Sequence, residues 1–100
     1  MSSLCEEFFY RVKKGDSVLS VSLKLKVPFT LLIADNNLFR EIEEGDLLYI
    51  KREGVFYTAQ LGDSFESIAC KFNTTAQEIM RKNRVEYLFY GLTLSVWFNR

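Results

Sequence analysis

The most constraining feature of this sequence is a stretch that occurs twice. Residues 10–17 read YRVKKGDS, and residues 57–64 read YTAQLGDS, an offset of 47 that continues as far as Asn36 and Asn83. Self-similarity at a fixed period indicates copies of one structural unit. The sequence therefore predicts two modules, at residues 8–51 and 56–98, joined by only about six residues at 51–56, too few for a long flexible linker.

Each copy has the residue order of a strand, a sharp turn, two helices, a loop and a second strand. Tyr10 and Val12 suit a short strand with one buried face, and Gly15 tolerates the positive φ of a turn. Asp16 and Ser17 then offer side-chain oxygens to a helix N-terminus. The predicted fold class is α+β: two tandem βααβ modules, each a two-stranded antiparallel sheet with two helices packed on one side.

The first helix of copy one is ambiguous by pattern alone. Apolar residues at 19, 21, 23, 25 and 27 alternate as in a strand. Val18, Val21 and Leu25 instead recur at helical spacing, and the equivalent positions of the second copy are apolar as well. We follow the repeat and predict a helix.

The second helices carry start and stop signals. Thr75 and Glu78 fit a capping box, in which each side chain bonds the other's backbone N–H. The position equivalent to Thr75 in copy one is Pro28, which cannot cap but suits a first helical turn. We expect these helices to end at Asn36 and Asn83, in the left-handed cap position that asparagine often occupies.

This order resembles the LysM (lysin motif) family over residues 10–50 and 57–96. The closest correspondence is in the second copy, in the turn Gly62-Asp63-Ser64-Phe65, the apolar residues of the following helices and Asn83. Copy one departs from the family pattern at Pro28 and in a charged second loop. It is therefore either a scaffold for copy two or a surface that meets another protein.

The resemblance implies non-enzymatic recognition of glycans that contain N-acetylglucosamine, such as peptidoglycan or chitin. The family groove lies between the turn that enters the first helix and the loop that leaves the second. Backbone groups there can hydrogen-bond an N-acetyl group while an apolar floor takes its methyl. Carried over, the glycan-binding residues are Gly62, Asp63, Ser64, Phe65, Arg84, Val85, Glu86, Tyr87 and Leu88 in copy two, and Gly15, Asp16, Ser17, Val18, Asn37, Leu38, Phe39 and Ile42 in copy one.

These positions also have a purely structural interpretation. Gly-Asp-Ser is accounted for as a turn plus a helix cap without any ligand. Val18, Phe65, Leu38 and Ile42 suit the core at least as well as a groove floor. For the loop aromatics we favour packing between the modules over stacking on sugar: Phe39, Tyr87, Phe89 and Tyr90.

Composition argues against several classes of function. Thirteen basic and thirteen acidic residues cancel, so a nucleic-acid partner is not expected. The chain has no histidine, which removes histidine-based triads and metal sites, and two cysteines cannot build a thiolate zinc site. We therefore expect no metal, no cofactor and no catalytic residue. Cys70 is interpreted as a small buried apolar side chain.

The N-terminus shows no secretory signal, and no apolar stretch is long enough to span a membrane. As written, the chain is expected in the cytoplasm, or delivered from there to a cell-wall, spore or phage structure. The missing signal favours an alternative function: a structural adaptor that uses LysM-like modules for protein association in an intracellular assembly such as a spore coat or phage tail.

Overall fold

A computed structural model describes residues 5–97. Strands β1 (Cys5–Arg11) and β2 (Leu47–Glu53) form one antiparallel sheet, and β3 (Val55–Thr58) and β4 (Thr93–Val96) form the other. In the sequence, two helices lie between the two strands of each sheet. This arrangement confirms the predicted α+β fold. The elements are β1 (Cys5–Arg11), α1 (Val18–Leu25), α2 (Phe29–Asn36), β2 (Leu47–Glu53), β3 (Val55–Thr58), α3 (Phe65–Phe72), α4 (Ala76–Asn83) and β4 (Thr93–Val96).

The ambiguous segment of copy one is a helix, as the repeat predicted. Ser17 caps α1 by accepting from the N–H of Ser20, and the Ser20 side chain accepts from the Ser17 N–H in return. Val21 lies inside, while Leu19 and Leu23 are each 57% exposed. The misleading alternation therefore arises from leucines on the solvent side of the helix.

The second helices begin differently in the two copies. Thr75 caps α4 by accepting from the Glu78 N–H. The predicted capping box is only half formed, because the Glu78 carboxylate pairs with Arg81 at 2.8 Å. Pro28 occupies the N-cap of α2 without a side-chain cap, and its carbonyl accepts from the N–H of Leu32 at 2.9 Å.

The prediction that Asn36 and Asn83 occupy left-handed cap positions is wrong. The left-handed residues are the next ones along, Asn37 at φ 52° and Arg84 at φ 57°. Asn83 is buried, and its amide donates to the carbonyls of Ile79 and Ser95 and accepts from the Ser95 N–H. The asparagine thus joins α4 to β4, a task that its paired donor and acceptor suit.

Each module has its own apolar core, and the two modules touch. One core centres on Leu48 and Ile50 of β2, the other on Leu94 and Val96 of β4. Phe29 of the first module packs against the core of the second. Proximity of the modules was predicted, but the six-residue linker was not observed, because β2 and β3 extend until only Gly54 separates them.

Two further expectations are settled by position. Cys70 is exposed, contrary to its interpretation as a buried residue, because it lies on the same outer face of its helix as Leu23 does in α1. The strand expected to reach Phe98 ends at Val96, and Phe98 lies outside the described residues. Over the part of the chain that the structure describes, the helices are all too short to cross a membrane.

Candidate functional site

The turn that enters α1 is held by a Tyr–Asp–Lys triplet, and the same triplet recurs at α3. The Asp16 carboxylate accepts from the Tyr10 hydroxyl at 2.6 Å and from the Lys13 N–H at 2.9 Å, with Lys24 Nζ at 3.4 Å. Asp63 has the equivalent partners, the Tyr57 hydroxyl at 2.6 Å, the Gln60 N–H at 2.8 Å and Lys71 Nζ at 3.5 Å.

The expectation that these aspartates cap the helices is therefore wrong. Ser17 and Ser64 provide the caps, and the aspartates bind back to the turn. The hydroxyl of the strand tyrosine, followed by the turn N–H and the lysine, lowers the pKa of each aspartate carboxyl. The triplets fix the path of the turn that forms one side of each candidate groove.

We expect the free energy of unfolding to fall in acid because of these two carboxylates. Their folded pKa values lie below the value of about 3.9 for an unfolded chain. Their stabilisation is therefore present above about pH 4 and is lost as the pH falls through the lowered pKa. Thermal melts from neutral to acid pH would measure this. The double variant Asp16→Asn/Asp63→Asn should flatten the dependence, whereas Glu44→Gln, at an exposed loop position, should not.

In the first module the turn and the second loop line one cavity of about 540 Å³. Ser17 and Val18 come from the turn, and Leu38 and Phe39 come from the loop, so four of the predicted residues are brought together. Sequence reasoning missed the other lining residues. They are Leu19, Phe29, Ile33, Arg40 and Glu41.

The spacing of Phe29 and Ile33, four residues apart on one face of α2, was a signal that could have found the cavity floor. The remaining predicted residues of this module lie outside the cavity. Ile42 is 5% exposed and belongs to the core, Asn37 is the left-handed C-cap after α2, and Gly15 and Asp16 form the turn before Ser17.

In the second module a cavity of about 540 Å³ lies beside the second loop. The predicted residues Arg84, Val85 and Glu86 line it, together with Met80 and Arg81 of α4. Gly62, Asp63 and Ser64 of the turn lie outside it. Phe65 is 9% exposed and belongs to the core of the second module. Leu88 packs against the same core.

A carboxylate of the first module distinguishes the two candidate grooves. Glu41 Oε1 accepts from the N–H of Val18, the first residue of α1, at 3.2 Å, and from its neighbour Ile42 at 3.2 Å. Counting back from the paired glycines Gly45 and Gly91, the residue equivalent to Glu41 is Tyr87. A tyrosine carries no carboxylate to repeat this contact.

The loop aromatics do not pack between the modules, contrary to the preferred expectation. The exposed fraction is 94% for Phe39, 79% for Tyr87, 54% for Phe89 and 72% for Tyr90. The short loops present these rings at their outer surface, whereas Phe29 of α2 makes the contact with the other module. Tyr87 and Phe39, both predicted site residues, are thus accessible from solvent.

The repeat and the fold agree with a family match over most of the chain. The LysM domain family matches residues 10–51 and 57–96, and the chain belongs to this family.

Among similar proteins is the N-acetylmuramoyl-L-alanine amidase sle1 of Staphylococcus epidermidis, 34% identical over 99 residues, with 87% of this chain and 31% of the amidase covered. The Staphylococcus aureus enzyme of the same name is 32% identical over 97 residues, with 80% and 29% covered. The chain thus spans less than a third of these relatives. A solved structure, the spore cortex-lytic enzyme SleL of Bacillus megaterium, matches with a TM-score of 0.47 and 24% identity, covering 91% of this chain and 22% of SleL.

Proposed function

We propose that this chain is a non-catalytic module that binds glycans containing N-acetylglucosamine, of the peptidoglycan or chitin type, and that it acts in association with a cell wall. Membership of the LysM family supports this proposal. The amidase relatives are named for N-acetylmuramoyl-L-alanine, which contains an N-acetylated amino sugar. The chain spans only 31% of that amidase, and the matched family is a binding module. Relatives of this kind do not favour the adaptor function.

The observation that carries the proposal is the cavity between the turn and the second loop of the first module. Its lining is apolar at Val18, Phe29, Ile33 and Leu38, and it includes Glu41, which accepts from the first N–H of α1. An N-acetyl group needs such a combination, because its methyl and sugar face prefer apolar contacts while its carbonyl accepts a hydrogen bond. The repeat provides the second module with the same pair of segments.

We propose that the second module binds more tightly, between the turn at residues 62–65 and the second loop at residues 84–88. In the first module Glu41 already holds the Val18 N–H, so a ligand carbonyl has to displace a carboxylate. The equivalent N–H in the second module belongs to Phe65, and its loop offers Tyr87 in place of the carboxylate. A shallow site for one or two sugars should have micromolar to millimolar affinity, roughly, and engagement of both modules by one chain would raise it.

Glycan binding itself is tested by a pull-down of the chain on insoluble peptidoglycan and on chitin. A chitin oligomer titration followed by backbone amide shifts then locates the site. We expect the larger shifts at residues 62–65 and 84–88. The variant Glu41→Ala should add shifts at residues 15–18 and 37–42 and tighten binding there by about tenfold, the effect of restoring one hydrogen-bond donor.

Glu44→Ala, in the same loop but outside the cavity, is the matched control and should bind as the parent does. Shifts confined to residues 15–18 and 37–42 in the parent would reverse the ranking of the modules. Failure of the parent to bind either polysaccharide would reject the glycan proposal and return the adaptor function to consideration.

A further inference from the structure

A further cavity lies where the two modules meet, and it shares Arg81 and Arg84 with the cavity of the second module. Its volume is about 300 Å³, at the lower end of the roughly 300–1,000 Å³ typical of ligand pockets. Four elements, Arg84 after α4 and Trp97 after β4 contribute to its wall, so neither module forms it alone. The charged lining residues are Asp35, Glu53, Lys51, Arg81, Lys82 and Arg84.

The charges around this junction cavity do not balance. Four of its lining residues are basic and two are acidic. Arg81 is neutralised by Glu78 at 2.8 Å. Within residues 5–97, no ion pair involves Lys51, Lys82 or Arg84. These three cations outnumber the two lining carboxylates by one charge, and a partly enclosed excess of positive charge favours an anion.

The remaining groups indicate what the anion is attached to. Lys82 Nζ lies 4.2 Å from the centre of the Trp97 ring, so the cavity combines positive charge with a flat apolar face. Asp35 and Glu53 offer acceptors for hydroxyl groups. Burial raises the pKa of the Asp35 carboxyl, and the positive charges of Lys51 and Arg84 partly offset this rise.

We propose that the junction cavity binds the phosphate of a sugar or polyol phosphate. Lys51, Lys82 and Arg84 receive the phosphate oxygens, the carboxylates of Asp35 and Glu53 accept from the hydroxyls, and the Trp97 ring borders the ligand. Phosphate suits the cations better than a carboxylate does, because it has more charge and more acceptor oxygens to share among three donors. The junction cavity shares Arg81 and Arg84 with the second module's cavity, whereas Lys51 and Lys82 line the junction cavity alone, so substitutions of these two lysines test it separately from glycan binding.

The single tryptophan of the chain, Trp97, reports on this site directly. We expect glycerol phosphate, titrated at low ionic strength, to change Trp97 fluorescence in a saturable manner, and glycerol to leave it unchanged. Lys51→Gln and Lys82→Gln should each weaken affinity by about tenfold through loss of a charge-assisted contact. Asp35→Asn should tighten it by removing a like charge. Amide shifts of Ser95 and Arg84 provide a second readout that does not depend on the Lys82–Trp97 contact.

Lys14→Gln makes the same charge change at an exposed position outside the cavity, and it should bind as the parent does. Three results would overturn the proposal: no saturable change in the parent, equal weakening by Lys14→Gln, or an equal response to sodium acetate at matched ionic strength. The last would show a general effect of salt on surface charge in place of a phosphate site.

Discussion

Replacing Gly54 with alanine should destabilise the chain by roughly 2–5 kcal/mol, the combined cost of a left-handed non-glycine residue and of overpacking. Gly54 has a φ of 68° and is the only residue between β2 and β3. A Cβ added there would lie 2.6 Å from the backbone oxygen of Val96 and 3.3 Å from the Trp97 ring. Since Val96 belongs to the core of the second module, β4 cannot move away from the added Cβ without disturbing that core.

Urea and thermal unfolding of Gly54→Ala measure this cost, and Gly15→Ala is its matched control. Gly15 also has a positive φ, 88°, but a Cβ there would meet no atom within 4 Å. The control should therefore show only the backbone strain, roughly 1–2 kcal/mol. If the two variants are destabilised equally, the close approach of Gly54 to Val96 adds nothing to the cost of the substitution. This contact would then not restrain the two modules.

The repeat made the fold predictable, because each copy resolved what the other left open. The alternation of apolar residues in α1 would have been interpreted as a strand, yet Phe65, Ile68 and Phe72 of the second copy are spaced as in a helix. Local signals were less dependable. Thr75 and Glu78 have the residue types of a capping box, but Arg81 one turn on competes for the Glu78 carboxylate, and side chains three residues apart on a helix reach each other easily.

The candidate site was predictable only in part, for a physical reason. The order of the elements identified the turn and the loop. Which of their side chains line a cavity depends on how the two segments are positioned relative to α2. The contact between Glu41 and the Val18 N–H joins residues that are 23 positions apart in the chain, so no local sequence pattern predicts it. The junction cavity forms only when the two modules have a fixed relative placement. A six-residue connection at 51–56 would not have fixed that placement, whereas the single residue Gly54 between β2 and β3 does.

Asn83 is a second position whose role the sequence concealed, and its replacement should be among the most damaging in the chain. Its side chain is fully buried and makes three hydrogen bonds, at 2.7–2.9 Å, to the backbone of Ile79 and Ser95. In Asn83→Ala the N–H and carbonyl of Ser95 would lose these partners in a site closed to water. Because each buried unsatisfied group costs about 1–3 kcal/mol, we expect a loss of roughly 2–4 kcal/mol.

The first module contains the control for this prediction. Asn36 makes the equivalent bonds, to the Leu32 carbonyl at 2.9 Å and to the Tyr49 N–H and carbonyl at 2.6 and 2.9 Å, but it is only half-buried. Water can replace part of what its side chain supplies, so Asn36→Ala should cost less, roughly 1–2 kcal/mol. Chemical denaturation of both variants compares them directly. If Asn83→Ala proves no more destabilising than Asn36→Ala, burial of the amide does not increase the contribution of these hydrogen bonds to the free energy of unfolding.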